Sequence, residues 1–174
     1  DYATLGSRVQ MNPPIRDPEN TKGLWAGLHD GVIDIIATDH APHLLADKEK
    51  PYPRSPSGMP GVETSLPLMM TAMRDGKCTL TQILRWMCSG PAELYKIPNK
   101  GRLVEGYDAD LALVDIEESK EVRDKEVFSR TGWSPFSGRV LSGWPTHTIV
   151  GGRVVFEKGV IRPGVFGEPL SFGS

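Results

Sequence analysis

The chain has 174 residues, of which 39% are hydrophobic and 24% charged, and its formal net charge is -2. This composition is typical of a globular protein, and the near-neutral charge favours neither nucleic acid nor an anionic membrane surface as a partner. The apolar runs are shorter than the roughly 18 to 20 residues that cross a bilayer, so we expect no membrane span.

The two cysteines indicate a reducing compartment. Cys78 and Cys88 are ten positions apart and fit no metal-ligand spacing. We expect two reduced thiols in a cytoplasmic protein, with a single disulfide as the alternative.

The first predicted elements are a strand, a helix and a second strand. A short strand is predicted from Arg8 to Met11, and Asp17 or Asn20 then caps a helix over roughly 19–29. The β-branched run "VIDIIATDH" follows, and such a run is typical of a strand that is buried on both faces. Strand, helix and strand with short connections predict a parallel βαβ unit.

A long polar loop, "LLADKEKPYPRSPSGMPG", comes next and is rich in Pro, Lys and Gly. Loops of this length in a domain are usually functional or disordered, so we expect the segment between His43 and Gly61 to be mobile without ligand. Two helices follow in "GVETSLPLMMTAMRDG" and "TLTQILRWMCSGPAELYKI". The second is predicted to start at Thr79 or Thr81 and to be interrupted near Gly90.

From Lys100 the sequence changes to short β runs separated by glycine turns, and the runs around Gly151 and Gly152 predict a hairpin. We therefore expect a parallel α/β domain over residues 1–98 and a β domain without helices over residues 99–174. Two βα units cannot bury a parallel sheet by themselves. Their neighbours are expected from polypeptide outside this sequence, or from another chain.

Polar residues follow both predicted strands of the βαβ unit. Asp39 ends the second strand, where parallel α/β folds place reactive side chains, although an aspartate there can equally cap a turn. His40 taken singly is more often a core histidine, whereas His43 lies beyond Pro42 and faces the loop. Asn12 ends the first strand, and its amide suits a substrate with imide or amide groups, with a plain turn as the alternative.

The end of the loop, "SGMPGVE", contains glycines that permit close approach of the backbone to a ligand. Gly61 also precedes a predicted helix, where backbone N–H groups favour a carboxylate. An ordinary helix start is the alternative explanation.

Four segments in this order, "MNPPIR", "LWAGLHDGVIDIIATDHAPH", "SGMPGVETSLPLMMT" and "KGRLVEGYDADLALVD", resemble the C-terminal half of the dihydroorotases. These are cyclic amidohydrolases of the amidohydrolase superfamily. The resemblance implies an α/β fold, namely the C-terminal part of a (β/α)8 TIM-type barrel plus strands of a small β-sandwich domain. It also implies zinc-dependent, reversible interconversion of N-carbamoyl-L-aspartate and L-dihydroorotate in pyrimidine biosynthesis, with one or two Zn²⁺ ions.

The resemblance assigns roles to single residues. Asp39 would contact the metal and move a proton between the attacking water and the ring nitrogen. His43 would bind the substrate carboxylate, and His40 would have no catalytic role. Asp108 and Asp110 would be turn and strand residues and not metal ligands. The substrate contacts implied in this way are Asn12, His43, Pro60 and Gly61.

The other metal ligands of the family belong to its N-terminal half and have no counterpart in this sequence. One aspartate cannot hold a catalytic zinc, so we expect this polypeptide alone to be inactive and poor in metal. The expected partners are a small-molecule substrate and the N-terminal half of the enzyme. A homo-oligomer and an association with aspartate carbamoyltransferase are further partners that the resemblance allows.

Two other functions stay open. A hydantoinase or allantoinase would share the fold, but Asn12 before the prolines and His43 after "DHAP" favour dihydroorotase. A non-catalytic, dihydroorotase-like structural subunit is the second alternative, and the presence of Asp39 argues mildly against it.

Overall fold

The computed structural model describes residues 2–173. These residues form two compact units, each made of three chain segments. The first unit contains residues 2–33, Ala37–Leu68 and Lys120–Leu141, and the second contains Asp34–Ile36, Met69–Ser119 and residues 142–173. The domain boundary after residue 98 stays a prediction. Nowhere in residues 2–173 is there a helix with the length and apolar character needed to cross a membrane.

The helices are short apart from two. Their bounds are α1 Tyr2–Leu5, α2 Pro18–His29, α3 Leu45–Lys48, α4 Ser65–Arg74, α5 Leu80–Leu84 and α6 Gly90–Leu94. The helix predicted over 19–29 is confirmed as α2, with Asp17 at its N-cap position and proline at its first position. Proline fits there because the first N–H groups of a helix have no partner within the helix.

Two strand predictions are wrong. Gly6–Val9 is a 3-10 helix, so no strand forms over Arg8–Met11. Residues 32–39 also form no strand. A strand requires a hydrogen-bonded neighbour. Among the described residues, Val32 and Ile33 donate only to Gly27 O at the end of α2, and Ile36 N–H makes the one bond of this segment to a distant part of the chain, to Trp86 O at 3.0 Å. The burial predicted on both faces is also not observed: within residues 2–173 every residue of this segment is exposed or half-buried, and Val32 is 78% exposed. The neighbouring strands that would pair with it and cover it are missing from residues 2–173.

The helices after the loop follow their local signals. Thr79 caps α5, since its Oγ1 accepts the N–H of Gln82 at 3.3 Å and its own N–H donates to Gln82 Oε1 at 2.8 Å. This reciprocal pair is a capping box. The interruption predicted near Gly90 takes the form of a π-helical turn, Arg85–Ser89, just before α6. Pro91 has no N–H to donate, so the regular helical ladder changes there.

A small antiparallel arrangement follows in the second half of the chain. The strands are β1 Leu111–Glu121, β2 Val140–Val150, β3 Arg153–Glu157 and β4 Val160–Ile161, in the order β1-β2-β3-β4. The predicted hairpin is confirmed: Gly151 (φ 53°) and Gly152 (φ 76°) connect β2 and β3. Two left-handed residues in a two-residue turn are what a type I′ hairpin requires.

Two details differ from the expectation for this part of the chain. β1 is one strand of 11 residues where several short ones were expected. A single 3-10 turn, Asp124–Glu126, lies in a region predicted to have no helix. Close packing in the second unit depends on Gly143 (φ 74°), because a Cβ there would lie 2.3 Å from Met70 Cβ.

Candidate functional site

Asp39 has an exposed side chain and a left-handed backbone. Its φ is 44°, a conformation that non-glycine residues adopt at some cost, although aspartate adopts it more readily than most. Its carboxylate makes no hydrogen bond or ion pair with the described residues. Strained non-glycine residues cluster at functional sites, so this backbone supports a functional role for the turn.

The imidazole of His40 is engaged by backbone groups. Its Nδ1 accepts the N–H of Gly61 at 3.1 Å and that of Val62 at 3.4 Å. An accepting Nδ1 places the ring proton on Nε2. His40 thus holds the end of the loop next to the turn that carries Asp39. The Gly61 N–H donates to His40 and is therefore not available to a ligand in this structure.

His43 is half-buried and held from two sides. Its Nε2 lies 3.0 Å from the carbonyl oxygen of Ser57, and its own carbonyl accepts the Nε1–H of Trp133 at 2.9 Å. Because a carbonyl oxygen can only accept, Nε2 carries the proton, which leaves Nδ1 for a ligand. Nδ1 donates only when the ring is charged, so binding of a carboxylate through it requires the imidazolium form.

Asn12 lines an open cleft of about 750 Å³ in the first unit. The other residues of the cleft are Tyr2, Gly6, Ser7, Gln10, Met11, Pro14, Tyr52 and Ser57. Ser57 was not singled out in the sequence, yet it lines this cleft with its neighbours while its carbonyl holds His43. The signal that would have found it is its place in the glycine-containing stretch "SGMPG".

Gly58 permits close approach of the backbone, as its sequence context predicts. Its φ is 118°, and a Cβ there would lie 2.6 Å from Ala41 Cβ and 3.1 Å from Ala41 O. Gly58 N–H also donates to Gln10 O at 3.0 Å, and Ala41 N–H donates to Met59 O at 3.2 Å. The segments 10–12, 39–43 and 57–61 are therefore joined in the first unit, and they contain all five predicted site residues.

The segment 127–134 supports this cluster. The two carboxylate oxygens of Glu63 accept the backbone N–H groups of Phe128 at 2.9 Å and Ser129 at 2.8 Å. Trp133, which is 1% exposed, holds the His43 carbonyl from the same segment. Neither contact was expected from the sequence.

The described residues do not make a zinc site by themselves. No group of three or more His, Cys, Asp or Glu among residues 2–173 is arranged to hold a metal ion. The carboxylate of Asp39 is a donor that zinc accepts, but a catalytic zinc takes three protein ligands. The observed donor set is therefore incomplete for the ion that the family resemblance implies.

The two other aspartates considered above, Asp108 and Asp110, form ion pairs within the chain. Lys100 Nζ pairs with Asp108 at 3.0 Å and with Asp110, whose second oxygen accepts Gly151 N–H at 2.7 Å. The hydrogen bond from Lys100, followed by that from Gly151, lowers the pKa of Asp110. Both cysteines are free thiols, and burial raises the pKa of each, so neither favours the thiolate form.

Comparison with known proteins defines the class of this chain. Residues 16–155 match the amidohydrolase family. Since this match covers most of the sequence, the chain belongs to the amidohydrolase family.

The curated relatives include dihydroorotases. The dihydroorotase of Bacillus caldolyticus is 44% identical over 161 residues, which are 91% of this chain and 37% of the relative. The dihydroorotase of Geobacillus kaustophilus (strain HTA426) has the same identity and coverage. The chain spans little more than a third of the length of these relatives.

Solved structures with a similar fold include hydantoinases. The L-hydantoinase (dihydropyrimidinase) from Arthrobacter aurescens is 37% identical, with a TM-score of 0.88 over 92% of this chain and 37% of that one. The D-hydantoinase (dihydropyrimidinase) from Thermus sp. is 27% identical, with a TM-score of 0.84 over 94% and 36%. The prediction of a mixed α/β fold with a small antiparallel sheet is confirmed at this level.

Proposed function

We propose that this chain is part of a dihydroorotase, which opens the ring of L-dihydroorotate to N-carbamoyl-L-aspartate and closes it again. The observation that carries the proposal is the turn at Asp39: an exposed carboxylate without a partner among the described residues, in left-handed backbone, joined to the Asn12 and Ser57 segments. Similarity to dihydroorotases over 91% of the chain supports the choice of reaction.

Asp39 is the proton carrier in this proposal. In ring opening, the water oxygen bonds to the ring carbonyl carbon, and the bond between that carbon and the ring nitrogen breaks with its electron pair going to nitrogen. Asp39 accepts the proton of the water and delivers it to this nitrogen. An exposed carboxylate without a hydrogen-bond donor on it suits this exchange, because no existing bond must break first.

Four residues bind the substrate in this proposal. Asn12 offers a donor and an acceptor to the imide of the ring from the wall of the cleft. Protonated His43 binds the carboxylate through Nδ1, since Nε2 is held by Ser57. Pro60 and Gly61 contribute through their backbone. The Gly61 N–H must leave His40 before it can bind substrate.

The complete site requires more polypeptide than this chain supplies. We propose zinc as the metal, with Asp39 as one ligand and the others from the part of the family fold that this chain does not span. The (β/α)8 barrel and the β-sandwich are proposed on the same basis. A cytoplasmic location is proposed from the two free cysteines. The homo-oligomer and the association with aspartate carbamoyltransferase stay predictions.

A hydantoinase is the second candidate, favoured by the structural similarity to L-hydantoinase. A substrate panel on the complete, metal-loaded protein separates the two, since a dihydroorotase opens dihydroorotate faster than hydantoins. Turnover of neither ring would favour the non-catalytic subunit.

The proposed role of Asp39 is tested with Asp39→Asn in the complete protein, with Asp34→Asn as the matched control. Asp34 is an exposed aspartate in the same segment and is not assigned to the site. We expect Asp39→Asn to lower kcat by about 10²- to 10⁴-fold, the usual contribution of general acid–base catalysis, and Asp34→Asn to change it less than about twofold. Metal analysis on the same samples separates loss of the ion from loss of proton transfer. Equal rates for Asp39→Asn and the unmodified protein would remove Asp39 from the mechanism.

A further inference from the structure

Lys48, the last residue of α3, is completely buried, with 0% of its surface exposed. Lysine is almost never fully buried unless a counter-charge accompanies it. No carboxylate of residues 2–173 forms an ion pair with Lys48. Its position therefore needs an explanation other than charge pairing.

The ammonium of Lys48 bridges two segments of the site. Its Nζ donates to Gln10 O at 2.9 Å and to Pro56 O at 2.7 Å. The Gln10 carbonyl also accepts Gly58 N–H at 3.0 Å. One buried group thus connects the backbone just before Asn12 with the backbone just before Ser57.

Further hydrogen bonds around Lys48 connect the same two segments. Ser55, which is 3% exposed, lies with its Oγ 3.3 Å from Lys48 O, and Gln10 Nε2 donates to Ser55 O at 2.8 Å. Burial removes water from the ammonium and lowers the pKa of Lys48, as expected where no carboxylate offsets the loss of solvation. The carbonyl oxygens satisfy two of its three N–H donors, which offsets part of the cost of burial.

We propose that Lys48 is a positioning residue that holds segment 55–58 against segment 10–12. Asn12 and Ser57 are then fixed around one cleft before the substrate arrives, and the Ser57 carbonyl is in place to hold His43. The nature of that substrate rests on the proposed function. A loop rich in Pro and Gly that had to be ordered during binding would weaken affinity, and ordering it beforehand removes that cost. Lys48 contacts neither Asp39 nor the proposed reacting atoms, so its effect falls on binding and not on the chemical step.

The test compares Lys48→Met with Lys50→Met in the complete, metal-loaded protein. Methionine has a similar length but no donor, while Lys50 is an exposed lysine of the same loop, paired with Asp47 at the surface. We expect Lys48→Met to raise KM for L-dihydroorotate about tenfold, equivalent to 1.4 kcal/mol, with kcat within about twofold. The amide of Gly58 should exchange hydrogen faster in Lys48→Met, and Lys50→Met should change neither quantity.

An unchanged KM with unchanged exchange at Gly58 would overturn the proposal, as would a fall in kcat at constant KM. If Lys48→Met does not fold, Lys48→Gln replaces it, since its amide keeps N–H donors but is too short to bridge both carbonyl oxygens in the same way. A rise in KM of about threefold is then expected, and no rise overturns the proposal. If the unmodified protein does not open dihydroorotate, the proposed function fails separately. Lys48 is then judged by exchange at Gly58 alone, where faster exchange supports the positioning role and unchanged exchange rejects it.

Discussion

The loop region 38–61 and the hairpin region 140–161 differ in how far along the chain their hydrogen bonds reach and in whether side chains make them. In the hairpins, backbone groups pair between chain neighbours, and residues with positive φ close each turn. In the loop, side chains bind distant backbone: Trp133 reaches His43 across 90 positions, and Lys48 reaches Gln10 across 38. Local pairing fixes the hairpins, whereas in the loop long-range bonds from side chains add to the backbone bonds of Ala41 and Gly58. Substitutions in the two regions should therefore have different consequences.

The largest effect on stability is expected from Gly143→Ala, which tests the dependence of the strand region on glycine. The new Cβ would lie 2.3 Å from Met70 Cβ, in backbone with a φ of 74°. Left-handed strain of about 1 kcal/mol and overpacking of a further 1–3 kcal/mol should together lower the free energy of unfolding of the complete protein by about 3 kcal/mol. Chemical denaturation measures this change.

Gly159→Ala is the matched control for this substitution. Its φ is 86°, but no atom lies within 4 Å of the added Cβ, so it carries the backbone strain without the overlap. A loss of about 1 kcal/mol is expected. If the two variants lose the same stability, close packing against Met70 does not contribute.

An intermediate effect is expected from Trp133→Phe, which tests the long-range support of the loop. Phenylalanine keeps most of the buried aromatic surface but removes the N–H that donates to His43 O at 2.9 Å. The free energy of unfolding should fall by about 1–2 kcal/mol, because the half-buried carbonyl is left without its donor. The amides of segment 43–58 should also exchange faster. A loss of stability without faster exchange in this segment would show that Trp133 contributes through packing alone.

The smallest effect is expected from Asp110→Asn, and it should depend on pH. Lys100 and Gly151 hold the pKa of Asp110 below its ordinary value, so the native state favours the ionised carboxylate. A lowered pKa contributes stability that is present above the unfolded-state pKa of about 4 and is lost as the pH falls through the folded-state value. Asp110→Asn should cost about 1 kcal/mol at pH 7 after solvent screening, and nearly nothing in strong acid. A difference that stays constant down to strong acid would contradict this origin.

The sequence predicted the elements whose signals are local. Asp17 lies at the N-cap of α2, Thr79 caps α5, and the pair Gly151-Gly152 defines the hairpin. The segment 32–39 shows the limit of such signals. Its apolar pattern predicts a buried strand, but burial and strand pairing both require neighbours in space, and within residues 2–173 the segment is neither buried nor paired.

In the candidate site, too, some residues could be predicted from the sequence and others could not. The types of Asp39, His43 and Asn12 indicated chemistry, and the structure places them in segments joined by hydrogen bonds. The hydrogen bonds of Lys48 and Trp133 to distant carbonyl groups could not be predicted from the sequence. Such bonds depend on the tertiary fold and produce no periodic pattern of residue types. The mobility expected for the loop between His43 and Gly61 stays a prediction. His40 holds the loop at Gly61, and Lys48 holds it at Pro56.

The indole of Trp133 is also a natural optical probe. Its emission depends on burial and on the bond from Nε1–H to the carbonyl of His43, so any movement of that carbonyl should change the wavelength and intensity of its fluorescence. Subtracting the spectrum of Trp133→Phe from that of the unmodified protein isolates this signal from the other three tryptophans of the chain. Ligand-induced rearrangement near His43 can then be followed in real time without attaching a dye.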